Sequence, residues 1–307
     1  MSFEKTQKET RVTGRETLVS SSENLKNKEF KRTTRVSAPV KKAVIPAAGR
    51  GTRFLPWSGR NAKELIPVID PKTKEIRAVI DLVVQEAYEA SINDILIITA
   101  LGKSSIQEHL TKQQIDRNIP NEVRIHYTNQ REPKGLGDAV LHAKSFVANE
   151  EFVVLLGDDF HSKNPVKQLV DAYERIKSPK FGALLTVLRV PDEYTKRYGI
   201  AVNPKKATGK IMKVDSFIEK PGKAPSNYAI SGRYLLSSKI FKHLEKLKPG
   251  NNGEVELTDA INMLGKEGLE LYCIELDGQR YDAGTPQGWV NAIQVIGHKA
   301  LDSNKSR

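Results

Sequence analysis

A strand-length apolar run that stops in a glycine- and arginine-bearing loop constrains this chain more than any other segment. Residues 42–67 read KAVIPAAGRGTRFLPWSGRNAKELIP. Ala43-Val44-Ile45 reads as a buried strand, and the loop leaves its carboxyl end, where α/β sheets place their ligands. Gly49 and Gly51 carry no Cβ and let backbone N–H groups approach an anion closely. Arg50, Arg53 and Lys63 add positive charge around that nest, so the segment predicts a polyphosphate site. Its spacing excludes two other phosphate loops. Thr52-Arg53 follows Gly51 where a Walker loop needs Lys-Ser/Thr, and Phe54 fills the third small position of a dinucleotide fingerprint. On its own, such a Gly-x-Gly turn is also an ordinary strand-to-loop connection.

Downstream, strand-like and helix-like stretches alternate as they do in βα units. KAVIPA, DILIITA (94–100), VRIHYTN (123–129), EFVVLLGDDF (151–160) and FGALLTVLRV read as strands. Residues 76–90, SSIQEHLTKQQ, a segment opening at Leu136 and NPVKQLVDAYERIK read as the intervening helices. The second half is less regular. Strands are expected at 200–203, 210–220, 228–236 and ELYCIEL, and helices at SKIFKHLEKL, ELTDAINMLGKEG and PQGWVNAIQVIGHKAL. The pattern predicts an α/β fold, a mostly parallel mixed sheet with helices on both faces. The polar residues 1–41 lack a sustained apolar period and are expected to form a disordered arm, leaving one domain over 42–302.

The chain of 307 residues has 38% hydrophobic and 28% charged residues and reads as a globular protein. It contains no run near the roughly 18 apolar residues of a spanning helix, and its first residues have no apolar signal core. The single cysteine, Cys273, lies in an alternating apolar run and reads as a core residue, and the six histidines lack zinc spacing. These features predict a reducing cytoplasm. The net charge of +12 raises nucleic-acid binding as an alternative, but the basic residues are dispersed, no helix-turn-helix or zinc pattern accompanies them, and aromatics are 7%. A positive cleft for phosphorylated small molecules accounts for the charge equally well.

Several acids and amides stand where such a cleft needs them. Asp158 ends a Val-Leu-Leu strand, and Asp282 follows another strand before a helix; together they could hold one Mg²⁺ with substrate phosphate and water. Glu219-Lys220 at a strand end offers a sugar-hydroxyl acceptor beside a compact cation. Gln130 could read a base edge, and Tyr198-Gly199 could present backbone to a sugar. Each of these residues alone also fits an ordinary turn. No Gly-x-Ser-x-Gly elbow is present, which disfavours covalent catalysis and leaves positioning and charge neutralisation.

Taken in order, IPAAGRGTRFLP, KELIP, Gln130 with KGLGDAV, LLGDDF, FIEKP, SNYAISGRYLL, GEVELTDAI and YDAGT resemble the bacterial-type UTP–glucose-1-phosphate uridylyltransferases over roughly residues 42–300. The resemblance implies a Rossmann-like nucleotidyltransferase fold, UTP and glucose 1-phosphate as substrates, a Mg²⁺ requirement and a homodimer or homotetramer. It assigns nucleotide binding to Ala47, Ala48, Gly49, Gly51, Thr52, Gln130 and Gly135, with Gln130 and Gly135 on the uracil. Arg53, Lys63 and Lys220 become the catalytic cations, Asp158 and Asp282 the metal acids, and Gly199, Glu219 and Lys220 the sugar-phosphate contacts. Three departures stand out: Asp138 replaces the family's histidine, Asn61-Ala62 replaces Ile-Pro, and Pro71–Glu75 lengthens a turn. The neighbouring expectation is the same chemistry on another nucleotide, dTTP first, or another sugar phosphate. An inactive sugar-nucleotide sensor and a nucleic-acid-binding protein are the alternatives of a different class.

Overall fold

In the computed structural model, which describes residues 40–59, 61–250 and 253–305, the apolar run after Lys41 is the central strand β1 (Lys42–Ala47). The arm expected over 1–41 lies outside the described residues as far as residue 39, and Val40 is already buried in the core. A hairpin of β2 (Pro67–Ile69) and β3 (Ile76–Ala78) follows, then α1 (Val79–Glu89), β4 (Asp94–Ala100), α2 (Ser105–Ile115) and β5 (Arg124–Gln130). Next come α3 (Leu136–Leu141), α4 (Lys144–Val147), β6 (Phe152–Leu155), β7 (Asp159–His161), α5 (Pro165–Ile176) and β8 (Phe181–Arg189). The second half supplies β9 (Gly199–Val202), β10 (Lys205–Thr208), β11 (Ile211–Val214), β12 (Ser216–Glu219) and β13 (Tyr228–Leu236). It closes with α6 (Phe241–Leu244), α7 (Leu257–Lys266), β14 (Glu270–Glu275), β15 (Arg280–Asp282) and α8 (Pro286–Lys305).

The main sheet has eleven strands in the order β10-β11-β14-β8-β13-β6-β1-β4-β5, with β9 added through β13 and β12 through β9. Pairs β1–β4, β1–β6, β4–β5 and β8–β14 are parallel. Along the nine-strand path, β11 and β13 are the strands that run against the others. One apolar cluster on the sheet centres on Ile45, Ile95, Ile97 and Val153 with α1 and α5. Another centres on Val44, Leu96, Val154 and Leu185 with α3 and α7. The two sets interleave along β1, β4 and β6 because alternate side chains of a strand point to opposite faces. Cys273 is fully buried in β14, and burial pushes its thiol up to about 12. Among the described residues no helix is long and apolar enough to cross a membrane.

Three expected elements are divided. The helix read over 76–90 starts three residues late, because Ile76–Ala78 pairs with Pro67–Ile69. The Asp81 carboxylate then accepts from the Ala78 N–H at 3.3 Å and caps the first turn. The strand read over 210–220 breaks at Asp215, since β11 pairs with β14 whereas β12 pairs with β9. Asn262 holds the second piece by bonding both backbone groups of Phe217, at 2.8 and 2.7 Å. The strand read over 151–160 ends at Leu155, and β7 turns away to pair with β15. That last division builds the site. Leu156-Gly157-Asp158 becomes a loop at the carboxyl end of β6, beside the loop that leaves β1.

Candidate active site

A cleft of about 880 Å³ opens along the carboxyl ends of β1, β5 and β6 and extends under β9, β12 and β13. Its lining includes Ala48, Gly49, Thr52, Lys63, Gln130, Gly135, Asp158, Gly199, Glu219 and Lys220, all expected from sequence. The remaining expected residues sit around it. Ala47 is buried at the end of β1, where strand alternation turns its methyl into the core. Gly51 takes φ 65° at the entry to a single 3₁₀ turn, Thr52–Phe54, a left-handed conformation suited to glycine. Phe54 is buried beneath that turn while Arg53 is exposed outside the cleft lining. Arg50, to which the resemblance gave no catalytic role, is the loop arginine that lines the cleft.

Lys63 and Glu64 occupy another single 3₁₀ turn, Lys63–Leu65. The Lys63 ammonium pairs with the Asp158 carboxylate and lies 3.9 Å from Glu64. The Lys63 side chain runs past Gly49, whose Cβ position would be in van der Waals contact with Lys63 Cε at 3.4 Å. Burial opposes the lysine charge, but Asp158 and Glu64 outweigh it and raise the Lys63 pKa. Burial likewise opposes ionisation of Asp158, and Lys63 nevertheless holds it below the usual carboxylate range. Glu64, pressed under Gly157, is pushed up to about 7 by desolvation.

The β7–β15 pairing brings Asp282 to the same place. Ala283 N–H donates to the Asp158 carbonyl at 2.9 Å, and Gly284 N–H donates to Asp282 Oδ1 at 2.8 Å. Gly284 lies in the angle between the two carboxylates: a Cβ on it would fall 2.6 Å from Asp158 Oδ2 and 3.2 Å from Asp282 Oδ1. Among the described residues no cluster of three or more His, Cys, Asp or Glu side chains has metal-holding geometry. Asp282 lines the neighbouring pocket and Asp158 Oδ2 is held by Lys63, so the two carboxylates could hold Mg²⁺ only together with waters and substrate phosphates, the usual ligand set of that ion.

On the far wall, Glu219 and Gly199 are partners in the β12–β9 register, and a Cβ at Gly199 would lie 2.9 Å from Glu219 Oε2. Desolvation raises the Glu219 pKa although Lys220 opposes it. Lys220 leaves β12 at φ 44°, held by its N–H donating to the Tyr198 carbonyl at 3.0 Å, and its ammonium is 3.3 Å from Glu219. Such strained backbone in a non-glycine residue recurs at ligand-clamping positions.

Two arginines escaped the sequence reading: Arg280, which is half-buried and lines the cleft, and Arg233, which lies in the core. Arg280 pairs with Asp159 at 2.7 Å and lies 3.6 Å from Asp282, so it braces the strand that carries the second acid. Desolvation drives the Asp159 pKa up to about 7 against the pull of Arg280. Arg280 stands two residues before Asp282 and therefore on the same strand face, which was the available signal. Arg233 is fully buried. It donates to Glu86 Oε2 at 2.7 Å and to the carbonyls of Leu156, Gly232 and Asp159 at 3.1, 3.0 and 2.8 Å. Glu86 also accepts from His161 Nδ1 at 3.0 Å. Burial opposes the Glu86 charge, but Arg233 and His161 prevail and lower its pKa. One buried guanidinium thus bonds the carbonyls at both ends of the loop that carries Asp158.

The chain matches the Nucleotidyl transferase family model over residues 42–298. It is 42% identical over 274 residues to UTP–glucose-1-phosphate uridylyltransferase 2 of Streptococcus pyogenes, covering 82% of this chain and 88% of that protein. It is 41% identical over 271 residues to the Bacillus subtilis UTP–glucose-1-phosphate uridylyltransferase, covering 82% and 89%. A crystal structure of a UDP-glucose pyrophosphorylase complexed with UDP-glucose superposes with a TM-score of 0.75 at 31% identity, over 85% of this chain and 99% of that one.

Proposed function

The chain belongs to the nucleotidyl transferase family, and from that premise we propose that it is a UTP–glucose-1-phosphate uridylyltransferase, forming UDP-glucose and pyrophosphate. The observation that carries the reading is one cleft in which the Lys63–Asp158 pair, beside the β1 loop, faces Glu219 and Lys220. A triphosphate on one wall and a sugar phosphate on the other would meet between these cations. Residues 42–302 then act as one domain, the first half taking the nucleotide and the second the sugar phosphate.

The chemistry follows from charge. A phosphate oxygen of glucose 1-phosphate attacks the α-phosphorus of UTP in line, the new P–O bond forms, and pyrophosphate leaves with the electrons of the broken bond. The two polyanions repel until their charges are neutralised, so catalysis is mainly electrostatic preorganisation. Lys220 holds the attacking phosphate while Glu219 accepts hydrogen bonds from sugar hydroxyls. Lys63 lies beside the α-phosphate, Arg50 and the loop N–H groups meet the departing pyrophosphate, and Gln130 with Gly135 meets the uracil. Arg53, exposed on the outer side of the loop, reaches pyrophosphate only if the loop closes over it. A magnesium ion held by Asp158 and Asp282 would supply further phosphate neutralisation. The same reading places a homo-oligomeric enzyme in the cytoplasm.

Incubation with UTP, glucose 1-phosphate and Mg²⁺ should release pyrophosphate, measured by a coupled colorimetric assay. A chelator should abolish the release, and excess Mg²⁺ should restore it. Full activity in the presence of chelator would remove Asp158 and Asp282 from the role of metal ligands.

A further inference from the structure

Gln130 ends β5 and lines the cleft, and its amide nitrogen is engaged twice. Nε2 donates to Asp138 Oδ2 at 2.6 Å and to the Gly135 carbonyl at 3.3 Å. Both partners are acceptors, and an ionised carboxylate has no hydrogen to return. An amide normally leaves its orientation open, since its oxygen and nitrogen ends are nearly isosteric. Here the two acceptors choose the orientation, use both hydrogens and leave Oε1 as the group free for a ligand.

The Asp138 backbone is itself fixed. Gly135 sits at φ 96° before α3, and a Cβ on it would lie 2.8 Å from Glu254 Cβ and 2.9 Å from Val255 N. Gly137 N–H donates to the Val255 carbonyl at 2.8 Å, and Val255 N–H donates to the Lys134 carbonyl at 2.7 Å. The turn that carries Asp138 is therefore clamped between β5 and the segment before α7. An acid in the first turn of a helix is common for its interaction with the helix dipole. The short bond to Gln130 gives this one a more specific task.

We propose that Asp138 is a specificity-determining positioning residue that locks Gln130 as a hydrogen-bond acceptor toward the nucleobase. The inference rests on the reading that Gln130 meets the base. A fixed acceptor suits a pyrimidine that presents an N3–H donor, as uracil and thymine do. It opposes cytosine, whose N3 is an acceptor, because two lone pairs would then face each other. Asp138 touches no substrate and acts through Gln130.

The test compares kcat/KM for UTP and CTP in the unmodified protein, Asp138→Asn and Asp138→Glu. Asparagine can donate to Gln130 Oε1 and so permits the flipped amide. The UTP-to-CTP ratio should fall about 10- to 100-fold in Asp138→Asn, the range expected for one directed hydrogen bond. The KM for glucose 1-phosphate should stay within twofold, and Asp138→Glu should retain more of the ratio because it remains acceptor-only. An unchanged UTP-to-CTP ratio in Asp138→Asn would overturn the proposal, as would equal loss for both nucleotides. If the unmodified protein turned over no UTP, the uridylyltransferase reading would fail instead. Calorimetric titration of UTP and CTP into the same proteins would then decide the role of Asp138 by the same ratio.

Discussion

Replacing Asp158 by alanine should lower kcat about 10³-fold, equivalent to roughly 4 kcal/mol of transition-state stabilisation, with the fold retained. Asp158 sits in the loop after β6, which turns at Gly157 because a side chain there would crowd Glu64 and the Pro46 carbonyl. Its carboxylate does two things at once. It converges with Asp282 on Gly284, and it holds the Lys63 ammonium at the floor of the cleft. Alanine removes both, so a Mg²⁺ held there would lose a ligand and Lys63 would keep only Glu64, 3.9 Å away, as its acidic partner. Because these groups act mainly on charge that redistributes as the α-phosphorus is attacked, kcat and kcat/KM should fall together. Steady-state kinetics with circular dichroism as a control provides the check. A variant within tenfold of the parent would show that Asp158 is a loop acid and not part of the catalytic apparatus.

The second large effect is on stability. Arg233→Leu should destabilise the protein by about 3–5 kcal/mol, because it leaves Glu86 buried without its guanidinium partner. At roughly 2–4 °C per kcal/mol for a domain of this size, the melting temperature should fall by on the order of 10 °C. The carbonyls of Leu156, Gly232 and Asp159 lose their donor in the same step, so turnover should fall as well. Adding Glu86→Leu to the variant removes the orphaned carboxylate and should recover part of the stability, since an apolar replacement of a whole buried pair is often near neutral. Differential scanning calorimetry of the single and double variants measures this. A single variant melting within 2 °C of the parent would mean that the buried pair does not anchor the loop.

These two residues also mark what the sequence made readable. Asp158 was legible because a carboxylate after Val-Leu-Leu is a local pattern, and strand ends in an α/β sheet are where such acids work. The β1 loop and Glu219-Lys220 at the end of β12 also combine a short apolar run with a polar stop, whereas Gln130 closes the polar strand RIHYTNQ and stood out only through the ordered resemblance. Arg233 was not. Within YAISGRYLL it looks like one polar residue in an apolar strand, and its four acceptors come from residues 86, 156, 159 and 232. Three of them are distant in sequence, so no window along the chain contains the argument for burying that charge. The same applies to the break at Asp215, which follows from β11 and β12 choosing different neighbours rather than from any turn residue. Arg50 and Arg53 differ through packing: burying Phe54 under the 3₁₀ turn leaves Arg53 on the outer side, and periodicity could not reveal that.

The measurement that tests the account most directly is a matrix of kcat/KM over UTP, dTTP, CTP, ATP and GTP against glucose 1-phosphate and two other sugar 1-phosphates, with the nucleotide sugar identified by mass spectrometry. The arrangement of Gln130, Lys63, Asp158, Glu219 and Lys220 in one cleft predicts that UTP with glucose 1-phosphate gives the highest value and that UDP-glucose is the product. A higher value with dTTP or with another sugar phosphate, or no nucleotide sugar from any pair, would contradict it.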